Sequence, residues 1–185
     1  CFRVMAEISE QLGKDGSAYR QDYEKLTAFI EKFFWDEEKG AYIDSFTSGK
    51  RNVTRHANIF AILFDIADKQ KQEKILKNVL ENDEIPAITT PYFNFFELDV
   101  LCQMGKLTEV LDKIRSYWGG MLDLGAVTFW EEYDPSVPKE EQYDMYGDHF
   151  GKSLCHAWAA SPIYFLAKYF AGLDLVNKDG VTYVL

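Results

Sequence analysis

The chain has 185 residues, of which 47% are hydrophobic and 16% aromatic, enough for a buried core and against a disordered chain. Its length fits one domain or one part of a larger domain. The formal net charge of -10 argues against nucleic acid and against an anionic membrane surface as partners, because both attract basic faces. No apolar run reaches the roughly 18 residues of a membrane span, so membrane insertion is not expected.

The spacing of apolar residues predicts helices along most of the chain. The first helix carries an apolar stripe and ends at Gly13, which fits a C-terminal cap, and Ser17 is the predicted N-cap of the second helix. The stripe consists of Phe2, Met5, Ile8 and Leu12. Further helices are predicted over residues 55–67, 69–80, 92–104, 107–117 and 153–171. Pro162 is expected to kink or split the last of these helices.

The connections between these helices alternate between short and long. Gly105 separates two helices, GGMLDLG (119–125) is predicted as a glycine-bracketed loop, and residues 133–151 form a long acidic loop. No self-similarity with a period of roughly 33 to 47 residues is visible, which argues against a solenoid of regular repeats. Antiparallel helical hairpins in a ring or stack remain the favoured architecture, with a functional site among the long loops.

The cysteines and histidines give no sign of a disulfide framework or a metal site. Cys1, Cys102 and Cys155 are widely spaced and odd in number, which predicts reduced thiols. Cys155 precedes His156, but neighbours on a helix point about 100° apart, so a cysteine hydrolase is set aside. The spacing of the three histidines matches no metal-ligand motif, and no metal is predicted.

The segment VTFWEEYDP (127–135) places two acids at the edge of aromatic surface. In an extended segment, Glu131 and Glu132 point to opposite sides, so only one of them faces a given pocket. A carboxylate beside Trp130 loses hydrating water, which raises its pKa towards values useful in acid–base catalysis. The alternative is a solvated acidic loop, because carboxylates are mostly exposed.

Aromatic residues are concentrated near the same loops. Ring faces bind the C–H faces of sugars while carboxylates bond their hydroxyls, so a neutral carbohydrate is the predicted partner. Core packing is an equally good explanation for Tyr92 and Phe93. The aromatic set comprises Trp118, Trp130 and Trp158, with Tyr92, Phe93, Tyr133 and Tyr143.

Two long segments, RSYWGGMLDLGAVTFWEEYDP (115–135) and GKSLCHAWAASPIYFLAKYFAGL (151–173), resemble the C-terminal part of the catalytic domain of bacterial α-L-rhamnosidases, glycoside hydrolase family 78. RHANIFAILF (55–64) and ITTPYFNFFELDVLCQMG (88–105) are similar to the inner-helix segments of that family. The resemblance implies a mainly α fold, an (α/α)6 barrel of which this chain supplies about seven helices. Residues 1–173 would form the second half of the barrel, and 174–185 the start of a β-rich domain.

The resemblance also implies the activity, which is hydrolysis of terminal α-L-rhamnosyl residues with inversion and without an organic cofactor. Glu131, directly after Trp130, matches the position of the family's general base. His156 would bind rhamnose hydroxyls, and Trp130 and Trp158 would be walls of the pocket. Glu132 matches a position that varies in the family, so it is treated as a neighbour of the base.

Two departures from the family pattern shape the expectations. The family's general acid belongs to an acidic and Arg-rich segment near the start of the barrel, and no segment of this chain matches it. The chain opens within a helical pattern and ends with a predicted strand, GVTYVL (180–185). We therefore expect a fragment of a bacterial protein, periplasmic or cytoplasmic, that is inactive alone and self-associates through uncovered core faces.

Two other classes of protein remain open from the sequence. One is another (α/α)-barrel sugar hydrolase or lyase, although a lyase acting on uronates would need basic residues where this loop is acidic. The other is a non-catalytic helical scaffold or carbohydrate-binding domain, in which Glu131 would be freely exposed without an aromatic wall. Convergence of Glu131, His156 and Trp130 on one concave face would favour the enzyme.

Overall fold

Helices provide most of the regular structure in the computed structural model, which describes residues 1–173, 175–177 and 180–183. Contacts divide the chain into two compact units, Cys1–Pro86 and a second unit that begins at Ala87. Within the described residues, every helix is too short or too polar to span a bilayer. The mainly helical fold class predicted from apolar spacing is confirmed.

The first unit begins with two helices and a short hairpin, followed by two more helices. Its elements are α1 (Phe2–Gln11), α2 (Ser17–Phe34), β1 (Trp35–Asp36), β2 (Ala41–Tyr42), α3 (Arg55–Leu63) and α4 (Lys69–Ile75). A π-helical segment, Leu76–Leu80, continues α4. Together these two match the helix predicted over 69–80, whereas the helix predicted over 55–67 ends four residues early.

The second unit contains the remaining helices and the C-terminal strands. Its elements are α5 (Pro91–Gln103), α6 (Leu107–Lys113), α7 (Gly119–Asp123), α8 (Ser161–Phe165), β3 (Leu175–Asn177) and β4 (Gly180–Tyr183). The π-helical segments Ile114–Trp118 and Leu166–Phe170 continue α6 and α8. Short 3-10 turns lie at Lys139–Glu141 and Ala157–Ala159.

A buried asparagine attaches the hairpin of the first unit to α3. The Asn58 side chain is fully buried, and its Oδ1 accepts the Tyr42 N–H at 2.8 Å. Its amide donates to the Tyr42 carbonyl at 2.9 Å and to the Thr54 carbonyl at 2.8 Å. Because donors and acceptor are all paired, the burial of this polar side chain is compensated.

The core of the second unit forms where α5 packs against α6 and α8. Leu98 and Val100 of α5 and Phe165 of α8 are fully buried. The buried carboxylate of Glu97 is compensated by the Lys113 ammonium at 2.6 Å, which connects α5 to α6. Pro91 lies in the first turn of α5, where a missing N–H breaks no helical bond.

The apolar stripe predicted on α1 is present but mostly faces water in the described structure. Phe2, Met5, Ile8 and Leu12 are all exposed, and only the small Ala6 of this helix is buried. A stripe of this kind is usually covered by a partner surface. Gly13 follows the helix with φ of 68°, as expected of a C-terminal cap.

The predicted N-cap of α2 is wrong. Gly16 is the N-cap, and Ser17 is the first helical residue. The Asp15 carboxylate accepts hydrogen bonds from both the Ser17 N–H and the Ser17 hydroxyl, each at 2.9 Å. The Ser17 hydroxyl is therefore engaged by the preceding residue and does not cap the helix.

Two predictions in the second unit are also wrong. Residues 119–125 are not simply a loop, because Gly119–Asp123 is helical and the helical backbone of α6 runs on through it. The helix predicted over 153–171 begins only at Ser161, since residues 153–156 are non-helical and Ala157–Ala159 forms a 3-10 turn. Pro162 therefore does not kink a helix; it lies in the first turn of α8, where proline is favoured.

The short strand predicted at the C-terminal end is confirmed for Gly180–Tyr183, which pairs antiparallel with β3. Residues 184–185 of that predicted strand lie outside the described residues. The proposed domain boundary also falls there in part, because residue 174 is not described. The division into a barrel segment (1–173) and a β-rich domain (174–185) stays a prediction.

A glycine allows α7 to pack tightly against the segment that follows Glu132. A Cβ on Gly120 would lie 2.6 Å from Cζ of Tyr133, whose ring is buried. A Cβ on the neighbouring Gly119 would meet no atom within 4 Å. The two glycines can therefore be compared directly, because a Cβ is sterically excluded only at Gly120.

We predict that Gly120→Ala lowers the free energy of unfolding by about 1–3 kcal/mol, because the tyrosine ring has to move. Gly119→Ala should leave stability unchanged or raise it by up to about 1 kcal/mol, because alanine favours the helical backbone. Urea denaturation followed by circular dichroism measures both. Equal stability of the two variants would contradict this packing.

Candidate active site

Two non-helical segments lie side by side in the second unit and carry the predicted residues Glu131 and His156. The Glu131 N–H donates to the Ser153 carbonyl at 2.9 Å, and the His156 N–H donates to the Phe129 carbonyl at 2.8 Å. The Thr128 hydroxyl donates to the carbonyl of Leu154. These bonds explain why residues 153–156 are not helical, and they fix Glu131 and His156 on neighbouring segments.

The Glu131 side chain is half-buried and held at one end. Its Oε2 accepts the Ser153 N–H at 3.0 Å. Within the described part of the chain, no hydrogen bond to Oε1 is observed. One oxygen therefore orients the carboxylate while the other is available to a water molecule, which is the arrangement that a general base requires.

Glu132 has a different set of partners. Its Oε1 accepts the Thr89 hydroxyl at 2.9 Å, and its Oε2 lies 4.0 Å from the Lys152 ammonium. The two carboxylates therefore contact different partners, whereas the opposite orientation of their side chains stays a prediction. The two neighbouring acids thus have different surroundings, and the Glu132 carboxylate is occupied by its contacts with Thr89 and Lys152.

The buried Lys152 connects the long acidic loop (133–151) to the segment that carries Glu132. Its ammonium is buried and donates to the Gln142 carbonyl at 2.5 Å. Burial lowers the pKa of Lys152 below its usual value, although the charge of Glu132 acts in the opposite direction. A buried cation is therefore placed between the loop and Glu132.

An aromatic wall adjoins His156. The Trp158 ring is 62% exposed and lies 5.1 Å from the His156 ring and 5.3 Å from the Tyr92 ring, centroid to centroid. With Tyr92 and Phe96, Trp158 lines a cavity of about 390 Å³. The cavity lies in the second unit and has the size expected of a small-molecule site.

Trp118 and Trp130 are buried. Trp130 is 3% exposed and packs edge-on against Tyr143, with ring centroids 5.5 Å apart. The Trp118 indole N–H donates to the Ala159 carbonyl at 2.8 Å. The structure thus brings the rings of Trp158 and His156 together, whereas Trp130 packs against Tyr143 of the acidic loop.

Three residues that shape the site were missed by the sequence predictions. Ser153 orients Glu131, Thr89 bonds Glu132, and the Lys152 ammonium lies beneath the acidic loop. Each of these contacts joins residues at least 20 positions apart. A lone lysine between a glycine and a serine carries no signal of burial, so the sequence pattern contained nothing that would have identified it.

The described residues contain no group of three or more His, Cys, Asp or Glu side chains placed to hold a metal ion. The three cysteines are free thiols. Cys155 is exposed beside His156, while burial raises the pKa of the Cys102 thiol to about 11. A thiol with such a pKa is protonated at neutral pH and is a poor nucleophile.

Comparisons with known proteins identify a family and a related solved structure. The model of the bacterial alpha-L-rhamnosidase six-hairpin glycosidase domain matches residues 1–170. Among solved structures, a rhamnosidase from Klebsiella oxytoca with rhamnose bound is 30% identical, with a TM-score of 0.77. The match covers 94% of this chain and 32% of the Klebsiella chain, so this chain spans about a third of that protein. No curated protein matched the chain.

The helical fold of the described residues therefore fits a segment of a six-hairpin, (α/α)6 toroid. The chain belongs to the bacterial α-L-rhamnosidase six-hairpin glycosidase family. The family resemblance and the fold class predicted from the sequence are confirmed.

We predict a specific pH dependence from the buried Lys152. Between its lowered pKa in the folded protein and the ordinary value of 10.5, the unfolded chain binds more protons than the folded chain. The contribution of Lys152 to stability therefore increases as the pH rises through this window. Below the window, the cost of burying the charge is present in full.

The measurement is the free energy of unfolding of the unmodified protein and of Lys152→Met, by urea denaturation across the alkaline range. The difference should shift in favour of the unmodified protein as the pH approaches 10.5. Lys139→Met, which removes an exposed lysine from the same loop, is the matched control. If the difference in unfolding free energy between the unmodified protein and Lys152→Met stays constant with pH, the burial of the Lys152 amine is contradicted.

Proposed function

We propose that this chain is the part of an inverting α-L-rhamnosidase that carries the general base, and that the base is Glu131. The observation that carries the proposal is the Glu131 carboxylate itself, oriented through one oxygen by the Ser153 N–H at 3.0 Å. Rhamnose bound to the Klebsiella relative supports a rhamnose-containing substrate. A freely exposed Glu131, as expected in a non-catalytic scaffold, is not what the structure has.

The proposed reaction is a single displacement at the anomeric carbon. Glu131 accepts a proton from a water molecule, whose oxygen forms the new bond to the anomeric carbon as the glycosidic bond breaks. A second carboxyl group protonates the leaving oxygen from the opposite face of the sugar. In inverting enzymes the two carboxyl groups are about 6.5–9.5 Å apart, which leaves room for the water.

The second carboxyl group is proposed to come from outside this chain. Glu132, the nearest acid in sequence, is engaged with Thr89 and lies 4.0 Å from Lys152. Its carboxylate thus has other partners than the Glu131 carboxylate, which is bonded to the Ser153 N–H. Glu132 therefore does not serve as the acid in this proposal.

Substrate binding is assigned to the aromatic wall and the histidine. His156 bonds rhamnose hydroxyls, and the exposed face of Trp158 packs against sugar C–H groups. Trp130 remains a proposed wall of the pocket. Its burial against Tyr143 supports a role beneath the segment that carries Glu131, so that it keeps the base in place.

We predict that Glu131→Gln lowers the rate of hydrolysis about 10²-fold or more in the complete protein that carries this chain, because the amide cannot accept the proton. An aryl α-L-rhamnoside is the substrate, and nuclear magnetic resonance of the first-formed sugar tests inversion. Glu132→Gln is the matched control and should retain activity within about 10-fold, because the amide oxygen still accepts from Thr89. Equal losses for both variants, or retention of configuration, would refute the assignment.

We predict that this chain alone hydrolyses no aryl α-L-rhamnoside, because the general acid lies elsewhere. Self-association belongs to the same proposal, since α1 exposes Phe2, Met5 and Ile8. Sedimentation velocity on the assayed sample measures it. Hydrolysis by the isolated chain that Glu131→Gln abolishes would place the acid within these 185 residues and overturn the proposal.

A further inference from the structure

The acidic loop contains a tight turn with an unexpected residue at its tip. Met145 and Asp148 exchange two main-chain hydrogen bonds, at 3.1 and 3.0 Å. The two residues between them, Tyr146 and Gly147, have φ of 56° and 85°. Positive φ at both central positions defines a type I′ turn, in which asparagine, aspartate and glycine are preferred. A tyrosine in this position is sterically strained.

A second aromatic residue of the loop has the same strain. Phe150 has φ of 66°, although its side chain is bulky. Both rings face water, with Tyr146 83% exposed and Phe150 66% exposed. Neither core packing nor turn preference explains these two residues. Backbone strain of this kind is concentrated at functional sites, where the side chain is retained for what it binds.

A series of ring contacts connects Phe150 to Trp130, the residue before Glu131. The Phe150 ring stacks on Tyr143 at 5.7 Å, and Tyr143 packs against Trp130 at 5.5 Å. Trp130 directly precedes Glu131. The loop is also fixed at its base, because Lys152 donates its N–H to the Tyr143 carbonyl at 3.3 Å and its ammonium to Gln142.

We propose that Tyr146 and Phe150 bind the saccharide that leaves the rhamnosyl group during hydrolysis. We call these two residues the aromatic platform. The inference rests on the proposed function and adds the chemical class of the leaving group, a neutral sugar ring. The C–H face of a pyranose packs on exposed aromatic rings. The platform is the second binding surface of the same active site.

The charge of the loop argues for a neutral sugar. Carboxylates accept hydrogen bonds from hydroxyl groups and repel uronates, nucleic acids and other acidic surfaces. The loop carboxylates are Asp134, Glu140, Glu141, Asp144 and Asp148.

The test compares two substrates in the complete protein, 4-nitrophenyl α-L-rhamnoside and a neutral trisaccharide ending in α-L-rhamnose. Tyr146→Asn and Phe150→Asn remove the rings, and asparagine tolerates the left-handed backbone, so folding is retained. For each variant, the KM for the trisaccharide should rise about 3–10-fold with kcat unchanged, the loss expected for one stacked ring. The small substrate should be hydrolysed as before.

Three controls make the result specific. Tyr146→Phe and Phe150→Tyr keep the rings and should retain the trisaccharide KM. Leu122→Asn removes a 67% exposed apolar residue from α7, outside the loop, and should affect neither substrate. The melting temperature of Tyr146→Asn should be equal or higher, because the substitution relieves strain.

Several results would overturn the inference. An unchanged trisaccharide KM in both asparagine variants shows that the rings do not bind the leaving group. An equal rise in KM for both substrates, or a lower melting temperature of Tyr146→Asn, shows that the ring supports the fold. If the unmodified protein hydrolyses neither substrate, the proposed function itself fails. A negative result for the trisaccharide KM alone overturns only the inference about the platform.

Discussion

The candidate active site depends on one interaction, the main-chain pairing of residues 128–131 with residues 153–156. Glu131 is tied to Ser153 twice, through its own N–H and through its carboxylate. The same pairing places His156 opposite Phe129 and leads directly into the turn that carries Trp158. The main-chain bonds fix the path of the segment that carries Glu131, and the buried Trp130 packs next to it against Tyr143.

The two adjacent glutamates have different surroundings. Glu131 keeps one oxygen open, whereas Glu132 is occupied by the Thr89 hydroxyl and lies near Lys152. The Thr89 carbonyl additionally accepts the Tyr133 N–H at 3.0 Å, so the segment before α5 fixes the chain just after the acids. This difference supports the proposal that Glu131 is the base, although the sequence places the two acids side by side.

Much of the fold could be predicted because α1 and α2 follow helical periodicity, and Glu131 stood out because two acids follow an aromatic run. The predictions failed where a distant segment decides the local structure. Leu154 and Trp158 mimic helical spacing, yet residues 153–156 pair with 128–131 instead. Gly119 and Gly120 suggested a loop, although both occupy helical backbone and Gly120 is needed for contact with Tyr133. Ser17 resembled an N-cap, but its hydroxyl donates to the Asp15 carboxylate instead. Contacts between distant positions, such as Lys152 with Gln142, leave no periodic trace.

The burial of Lys152 has a practical consequence for chemical labelling. Its side chain is only 4% exposed, whereas Lys139 on the same loop faces solvent. Reagents that acylate amines attack the neutral, accessible form, so they modify surface lysines first and spare an ammonium enclosed by protein. The protein can therefore be immobilised through its surface amines with the anchor of the acidic loop intact. Acylation of Lys152 would therefore indicate that the acidic loop had moved away and exposed this side chain.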